Sequence, residues 1–305
     1  MNVSICSKSI QNLVDERFEL VSLVFRFAGK DDYSDKLTDY HNRLETDFDP
    51  HRKHPIVKYA QSLPFGYDAI FKFAIHIQKI DNHFEFIEDI GSLVQDGRWK
   101  HKTAEKLLKY LNKFYCDTSF AQFFIEQLPF YENITRQYIE DVHSKINFDW
   151  FRDYVNVGNL RTVLSPSTNG GFGVTVNDIF IYALVSCDGY SEKDISLPIH
   201  EFCHNFANPI ADRWYKENKL FRKWCKGSID EDKMPYYSNG EIMSYEYVTR
   251  SFCILYEAKQ GNDTEHLIEK EKQNGFPFIE DVYKMVMGEH GKYDFKHKDS
   301  RGLSV

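Results

Sequence analysis

Within this 305-residue chain, His200-Glu201-Phe202-Cys203-His204 is the stretch whose residue types and spacing are suited to chemistry. Residues four apart on an α-helix share one face, a single turn from each other, so imidazoles at 200 and 204 can converge on one metal ion. Glu201 is rotated about a third of a turn from that face, which takes it out of easy ligation but leaves it in reach of a water at the same point. An H-E-x-x-H helix of this kind supplies two zinc ligands and a general base in hydrolases. Pro198 and Pro209 bracket the motif and predict a helix of about three turns. Phe202, Phe206 and Ala207 predict that it is buried, and buried imidazoles and carboxylates need partners, because each unpaired polar group there costs on the order of kcal/mol. The plain alternative is a pair of core histidines satisfied by hydrogen bonds; with 12 His in the chain, the motif arises by chance in roughly a few per cent of such sequences.

Zinc held for catalysis takes three protein ligands and leaves a fourth position to water or substrate. A third histidine six positions after His204 is ruled out, because that residue is Ile210. A glutamate on a later helix remains, and NGEIMSYEYVTRSFCILYEAK (239–259) offers Glu241 and Glu246. Glu241 follows Ser238 by three residues, so a capping box accounts for it. Glu246 shares a stripe with Ile242, Thr249, Cys253 and Tyr256 that is expected to face inward; its alternative role is an i,i+4 surface pair with Arg250. The expected metal set is therefore His200, His204 and Glu246 around Zn2+, with Glu201 as base. The preceding loop offers Tyr236 and Tyr237 as donors to a developing oxyanion, and Tyr237 is the one assigned; packing or surface roles compete for both. Asn205, Asp194 and Arg250 are the nearby groups able to orient the ligands, with no basis in the sequence for choosing among them.

HEFCHNFANP followed by EYVTRS resembles the DUF4932 family of gluzincin-like bacterial proteins, and ERFELVSLVFRFAG and GYDAIFKFAIH are similar to that family as well. The resemblance covers roughly residues 14–290. It implies a zincin-like metallopeptidase fold with Glu246 at the glutamate of the later motif. It implies no particular substrate.

The elements that must position these residues read as helical, then briefly β, then helical again. Apolar stripes at helical spacing predict helices over 17–29, 67–80, 102–115 and 130–146, the first stopping at Gly29. NLRTVLS (159–165), GFGVTV (171–176) and IFIYALVS (179–186) predict a small antiparallel meander, with turns at Asn169-Gly170-Gly171 and Asn177-Asp178. Helices are expected again over 195–207, 211–224, 240–259, 263–273 and 277–287. The fold class is α+β, mostly helical, with the sheet beside the HExxH helix. A helical part over 1–155 and a catalytic part over 156–305 are expected to form one two-lobed unit. The strand Gly171–Val176 is a candidate edge for an extended peptide, with a plain hairpin as the equal alternative.

Composition removes other classes. Hydrophobic residues make up 42% and aromatics 16%, enough for a substantial core, while a formal net charge of -8 lacks the basic footprint of a nucleic-acid binder. The longest apolar run, near 179–187, falls short of the ~20 residues that cross a bilayer, so no transmembrane segment is expected. MNVSICSKSIQNLVDERF has no apolar signal-peptide core, so a soluble protein is expected, cytoplasmic as the chain stands and secreted if a leader has been removed. Six scattered cysteines without a CxxC pair read as reduced, buried thiols. Asn133 and Asn262 fit the glycosylation sequon, which matters only on a secreted eukaryotic chain. His76 and His83 read as structural histidines, and HLIEKEKQ (266–273) as a solvated helix face. The expected activity is hydrolysis of a peptide or protein substrate. A zinc hydrolase of non-peptide amides or esters, and a catalytically inactive binding protein of the same fold, are the competing readings.

Overall fold

A computed structural model describes residues 13–30, 33, 38–66, 68–87, 90–95, 97–168, 170–176, 180–186, 195–230, 237 and 239–289. Its helices are α1 (Glu16–Phe27), α2 (Asp39–Phe48), α3 (Pro55–Gln61), α4 (Asp68–Ile75), α5 (Gly91–Val94), α6 (His101–Asp117), α7 (Phe120–Asp141), α8 (Phe148–Phe151), α9 (Ser196–Glu217), α10 (Lys219–Gly227), α11 (Gly240–Lys259), α12 (Thr264–Gln273) and α13 (Ile279–Glu289). The strands are β1 (Ile77–Ile80), β2 (His83–Phe86), β3 (Leu160–Ser165), β4 (Gly171–Val176) and β5 (Phe180–Ser186). The chain is mostly helical with small sheets, an α+β protein. Among the described residues no helix is long and apolar enough to cross a membrane.

The chain divides into two compact units, one of Met1–Ile146 with Arg161–Pro198, the other of Asn147–Leu160 with Ile199–Val305. That division departs from the expected boundary near residue 155, which grouped the strands with the HExxH helix. The reason lies in burial: Val163, Leu164, Val174, Val176, Leu184 and Val185 join the same apolar core as α1, and β4 packs on α4 and α5.

In the first unit α1 is the central element, buried from Phe18 to Phe27, capped by the Asp15 side chain and followed by Gly29 at φ 71. A left-handed residue after the last turn favours glycine, so the predicted stop at Gly29 is observed. Glu19, fully buried, accepts hydrogen bonds from the hydroxyls of Tyr40 at 2.7 Å, Ser165 at 2.8 Å and Ser167 at 3.0 Å. The three-stranded sheet has the order β3-β5-β4, so β5 is central and the sheet is not a sequential meander. β4 and β5 pair antiparallel from Gly171↔Val185 to Val176↔Phe180, which leaves β4 at an edge as expected. Asn169, Asn177 and Asp178 lie outside the described residues.

Two helix predictions in this unit need correction. The segment 67–80 is helical only to Ile75, after which β1 pairs with β2. Ile77 and Phe84 are the buried residues of that hairpin, and a short apolar run cannot by itself separate the two periods. The helix predicted over 130–146 starts at Phe120 and runs through Pro129. His76 bonds Lys72 O and Ser92 Oγ and His83 pairs with Glu85, as structural histidines do. Cys203 and Cys225 are buried free thiols and Cys253 is half-buried, but Cys116 is exposed, against expectation; Cys6 and Cys187 lie outside the described residues.

In the second unit α11 is central, packing against α10, α12 and α13. Asn239 caps it, accepting from the backbone N–H of Glu241 and Ile242, in place of the predicted cap Ser238, which is outside the described residues. Gly240 opens the helix where a Cβ would stand 2.7 Å from Tyr215 Oη, so a larger residue there requires the Tyr215 and Lys226 side chains to move. The short segment around α8 adds an aromatic cluster: Tyr154 stacks on Phe206 at 4.5 Å, Phe206 meets Phe252 at 4.9 Å, and Trp150 meets Tyr256 at 5.2 Å. Such pairs contribute about 0.5–1.5 kcal/mol each beyond area burial. They hold α9 against α11 through Phe206 and Phe252.

Candidate metal centre

α9 carries the HExxH residues and differs from the predicted three-turn helix in one respect. It does not end at Pro209 but continues through it to Glu217. Proline in a helix interior costs about 3 kcal/mol through its missing N–H and ring clash. Phe206, Ala207, Ile210, Ala211 and Trp214 are buried on both sides of it, and that packing offsets the cost. The consequence is positional: His200, His204 and Asn208 fall at i, i+4 and i+8 on one continuous face. α11 presents a matching stripe of Glu246, Thr249 and Cys253 at i, i+3 and i+7.

His200, His204 and Glu246 meet between these stripes. The two Nε2 atoms are 3.0 Å apart, His204 Nε2 is 3.4 Å from Glu246 Oε1, and His200 Nε2 is 3.5 Å from Glu246 Oε2. The group can hold a metal ion. A tetrahedral ion with bonds near 2.0–2.1 Å separates its ligand atoms by about 3.3 Å, which is the spacing these donors already have. Two neutral imidazoles that keep their protons on Nδ1 would otherwise bring two lone pairs together at 3.0 Å, an arrangement that needs a cation or a shared proton between them. The donor set thus fits the ion. The side chains are 19% exposed for His200, 17% for His204 and 10% for Glu246, so none of the three is fully buried.

Electrostatics agree with that geometry. Burial opposes charge on His200, but Glu246 outweighs it and raises the imidazole well above its ordinary range. Burial likewise opposes charge on His204, which the hydrogen bond to Glu246 nevertheless raises. Glu246 is pushed up by burial and pulled further down by His200 and His204, so it stays ionised. Glu201 is buried, and desolvation raises its carboxyl while the two histidines pull it down. A carboxyl raised toward neutrality is suited to taking and returning a proton.

Glu241 is exposed in the first turn of α11 and is outside the donor group; with Asn239 as N-cap it stands at the second helical position, not the third that the expected capping box needs. Glu246 both faces the histidines and pairs with Arg250, whose Nε is 3.3 Å from Oε2; the expected i,i+4 pair exists, in the interior and not on the surface. The Tyr237 hydroxyl donates to Glu246 Oε2 at 3.2 Å, and Arg250 Nη2 reaches that hydroxyl at 3.5 Å. Tyr236 and Asp194 lie outside the described residues. Arg250 is anchored in turn by Glu271 at 2.7 Å and by the Phe276 ring at 4.3 Å; within the charged stretch 266–273 Ile268 is buried, Leu267, Glu271 and Lys272 are half-buried, and the rest is exposed as expected.

Two contacts were not anticipated. Asn208 Oδ1 and Thr249 Oγ1 each lie 3.0 Å from His204 Nδ1. Stopping the helix before Pro209 hid Asn208, and continuing the four-residue spacing once more would have found it. No family model, no curated protein and no solved structure matches this chain, so the resemblance in HEFCHNFANP and EYVTRS stands on those residues alone.

Proposed function

We propose that this chain is a zinc-dependent hydrolase, of the gluzincin type that its motifs resemble, acting on peptide bonds. One observation carries the reading: two imidazole Nε2 atoms and a carboxylate from a second helix sit at tetrahedral-edge spacing, each side chain partly exposed, beside a buried glutamate that is outside that donor group. A structural zinc site is closed by a fourth protein ligand and has no use for a base, whereas a catalytic site has three ligands and one nearby. A zinc ion held there supplies Lewis acidity, polarising a carbonyl and making water a better nucleophile at neutral pH.

The protein's own residues supply the rest. His200, His204 and Glu246 hold the ion. Glu201 accepts the proton of the attacking water and hands it to the leaving amine, and its desolvated carboxyl suits both halves of that transfer. Tyr237, whose proton is given to Glu246 Oε2 when the site is at rest, turns to donate to the carbonyl oxygen of bound substrate. The strong ionisation of Glu246 keeps a full negative charge on the ligand oxygen.

The test combines metal analysis with an unbiased peptide-cleavage assay on wild type and Glu201→Gln. Wild type is expected to carry one zinc per chain and to cleave. Glu201→Gln is expected to retain the zinc and lose at least 100-fold in rate, the lower end of what a positioned general base contributes being about 10²-fold. Wild-type protein that carries no stoichiometric zinc, or a Glu201→Gln variant that cleaves as fast as wild type, overturns the reading.

A further inference from the structure

His204 has a second nitrogen, and its surroundings are built from both helices. Nδ1 faces Asn208 Oδ1, one turn further along α9, and Thr249 Oγ1, three residues beyond Glu246 on α11, each at 3.0 Å. Thr249 is fully buried, so water does not replace it. Asparagine is among the weaker helix formers, so local propensity gives no reason for one at 208, directly before a proline.

We propose that Asn208 and Thr249 are positioning residues that lock His204 as its Nδ1–H tautomer and so aim the Nε2 lone pair at the point shared with His200 and Glu246. The inference rests on the metal reading above. A neutral imidazole carries one ring proton, and whichever nitrogen donates it leaves the other as the ligand. The Asn208 carbonyl oxygen can only accept, so a hydrogen bond to it places the proton on Nδ1. A flipped amide would present N–H to Nδ1, force the proton onto Nε2 and point a hydrogen at His200. Thr249 serves either arrangement, because a hydroxyl both donates and accepts; Asn208 therefore decides the tautomer, and Thr249 fixes the ring plane. Among the described residues no amide or hydroxyl partner is found at His200 Nδ1, which meets the Cys253 thiol at 4.0 Å. The two histidines are thus held unequally, His204 being the preorganised one.

The experiment measures zinc affinity by competition with a chromophoric chelator, and thermal midpoints with and without zinc, on the full chain and its variants. N208L and T249V are each expected to weaken zinc binding, and the double variant by about 10–100-fold, as loss of such outer partners does. N208D, whose carboxylate can only accept from Nδ1–H, is expected to bind zinc at least as tightly as wild type, and T249S to restore wild-type affinity. A merely structural role would lower the midpoint equally in both forms, whereas the positioning role lowers it more in the zinc-bound form. Should the double variant not fold, N208D against N208L decides the point. Wild type that binds no zinc removes the metal reading and this inference with it. Wild type that binds zinc while N208L and T249V bind equally well overturns this inference alone.

Discussion

Arg250 Nε stands 3.3 Å from Oε2 of Glu246, one turn earlier on the same helix, while its Nη1 donates to Glu271 Oε2 at 2.7 Å. The guanidinium lies between two carboxylates and against Phe276, half-buried; Nη1 is hydrogen-bonded to Glu271, whereas Nε makes the ion contact with Glu246 without a hydrogen bond. Burial opposes its charge, but Glu246 and Glu271 outweigh that and hold it protonated. The same cation repels any metal ion placed beside Glu246, so it steadies the metal-free site while opposing occupancy.

Arg250→Met separates those two effects. Removing one partner of a buried pair leaves uncompensated charge and costs about 3–5 kcal/mol, so the metal-free protein is expected to melt at markedly lower temperature. Zinc then substitutes for the lost cation, and the rise in midpoint on adding zinc is expected to exceed that of wild type. Melting curves with and without zinc check this. An equal or smaller rise in the variant contradicts it.

The third ligand is tested by paired substitutions. Glu246→Ala is expected to lose more zinc affinity than the 10–100-fold that removal of an outer partner costs. Glu241→Ala, at an exposed position in the first turn, is expected to leave affinity unchanged. Titration of both variants against one chelator distinguishes them, and retention of tight binding by Glu246→Ala refutes the ligand set.

Glu19 predicts a pH dependence remote from the metal centre. Burial raises its carboxyl from 4.5 to about 7, against the hydrogen bonds from Tyr40, Ser165 and Ser167. The folded form then binds more protons than the unfolded form between those values, so stability falls as pH rises from about 4.5 to about 7 and is fully present only below that window. At 1.36 kcal/mol per unit, the loss is about 3 kcal/mol. Denaturant unfolding at pH 5 and pH 8 is expected to show it, and Glu19→Gln is expected to flatten the difference. A Glu19→Gln protein as pH-dependent as wild type speaks against the assignment.

Pro209 is exposed in the middle of α9. Pro209→Ala removes the clash and the missing donor without loss of packing, and is expected to raise stability by up to about 3 kcal/mol. Because Asn208 already lies on the continuous face, zinc affinity is expected to stay at the wild-type value. A change in affinity without a change in stability would mean that the proline shapes the site.

The sequence by itself determined the parts that depend on near neighbours. His200 and His204 share a face because 3.6 residues make a turn, whatever surrounds them, and Glu241 reads as a first-turn residue for the same local reason. The stripe of Glu246, Thr249 and Cys253 was legible as one face of a helix. What that stripe would meet was not, because contact across 42 or more positions is set by packing of Tyr154, Phe206 and Phe252, which no periodicity encodes. Tertiary structure also overrode local rules. Burial around Pro209 and within α7 around Pro129 carried helices through prolines where propensity predicts a break. The strands joined the α1 core because their valines and leucines are buried there, a choice that short alternating segments leave open. Local geometry is written in spacing; which faces close on each other is decided by the summed burial of the whole unit.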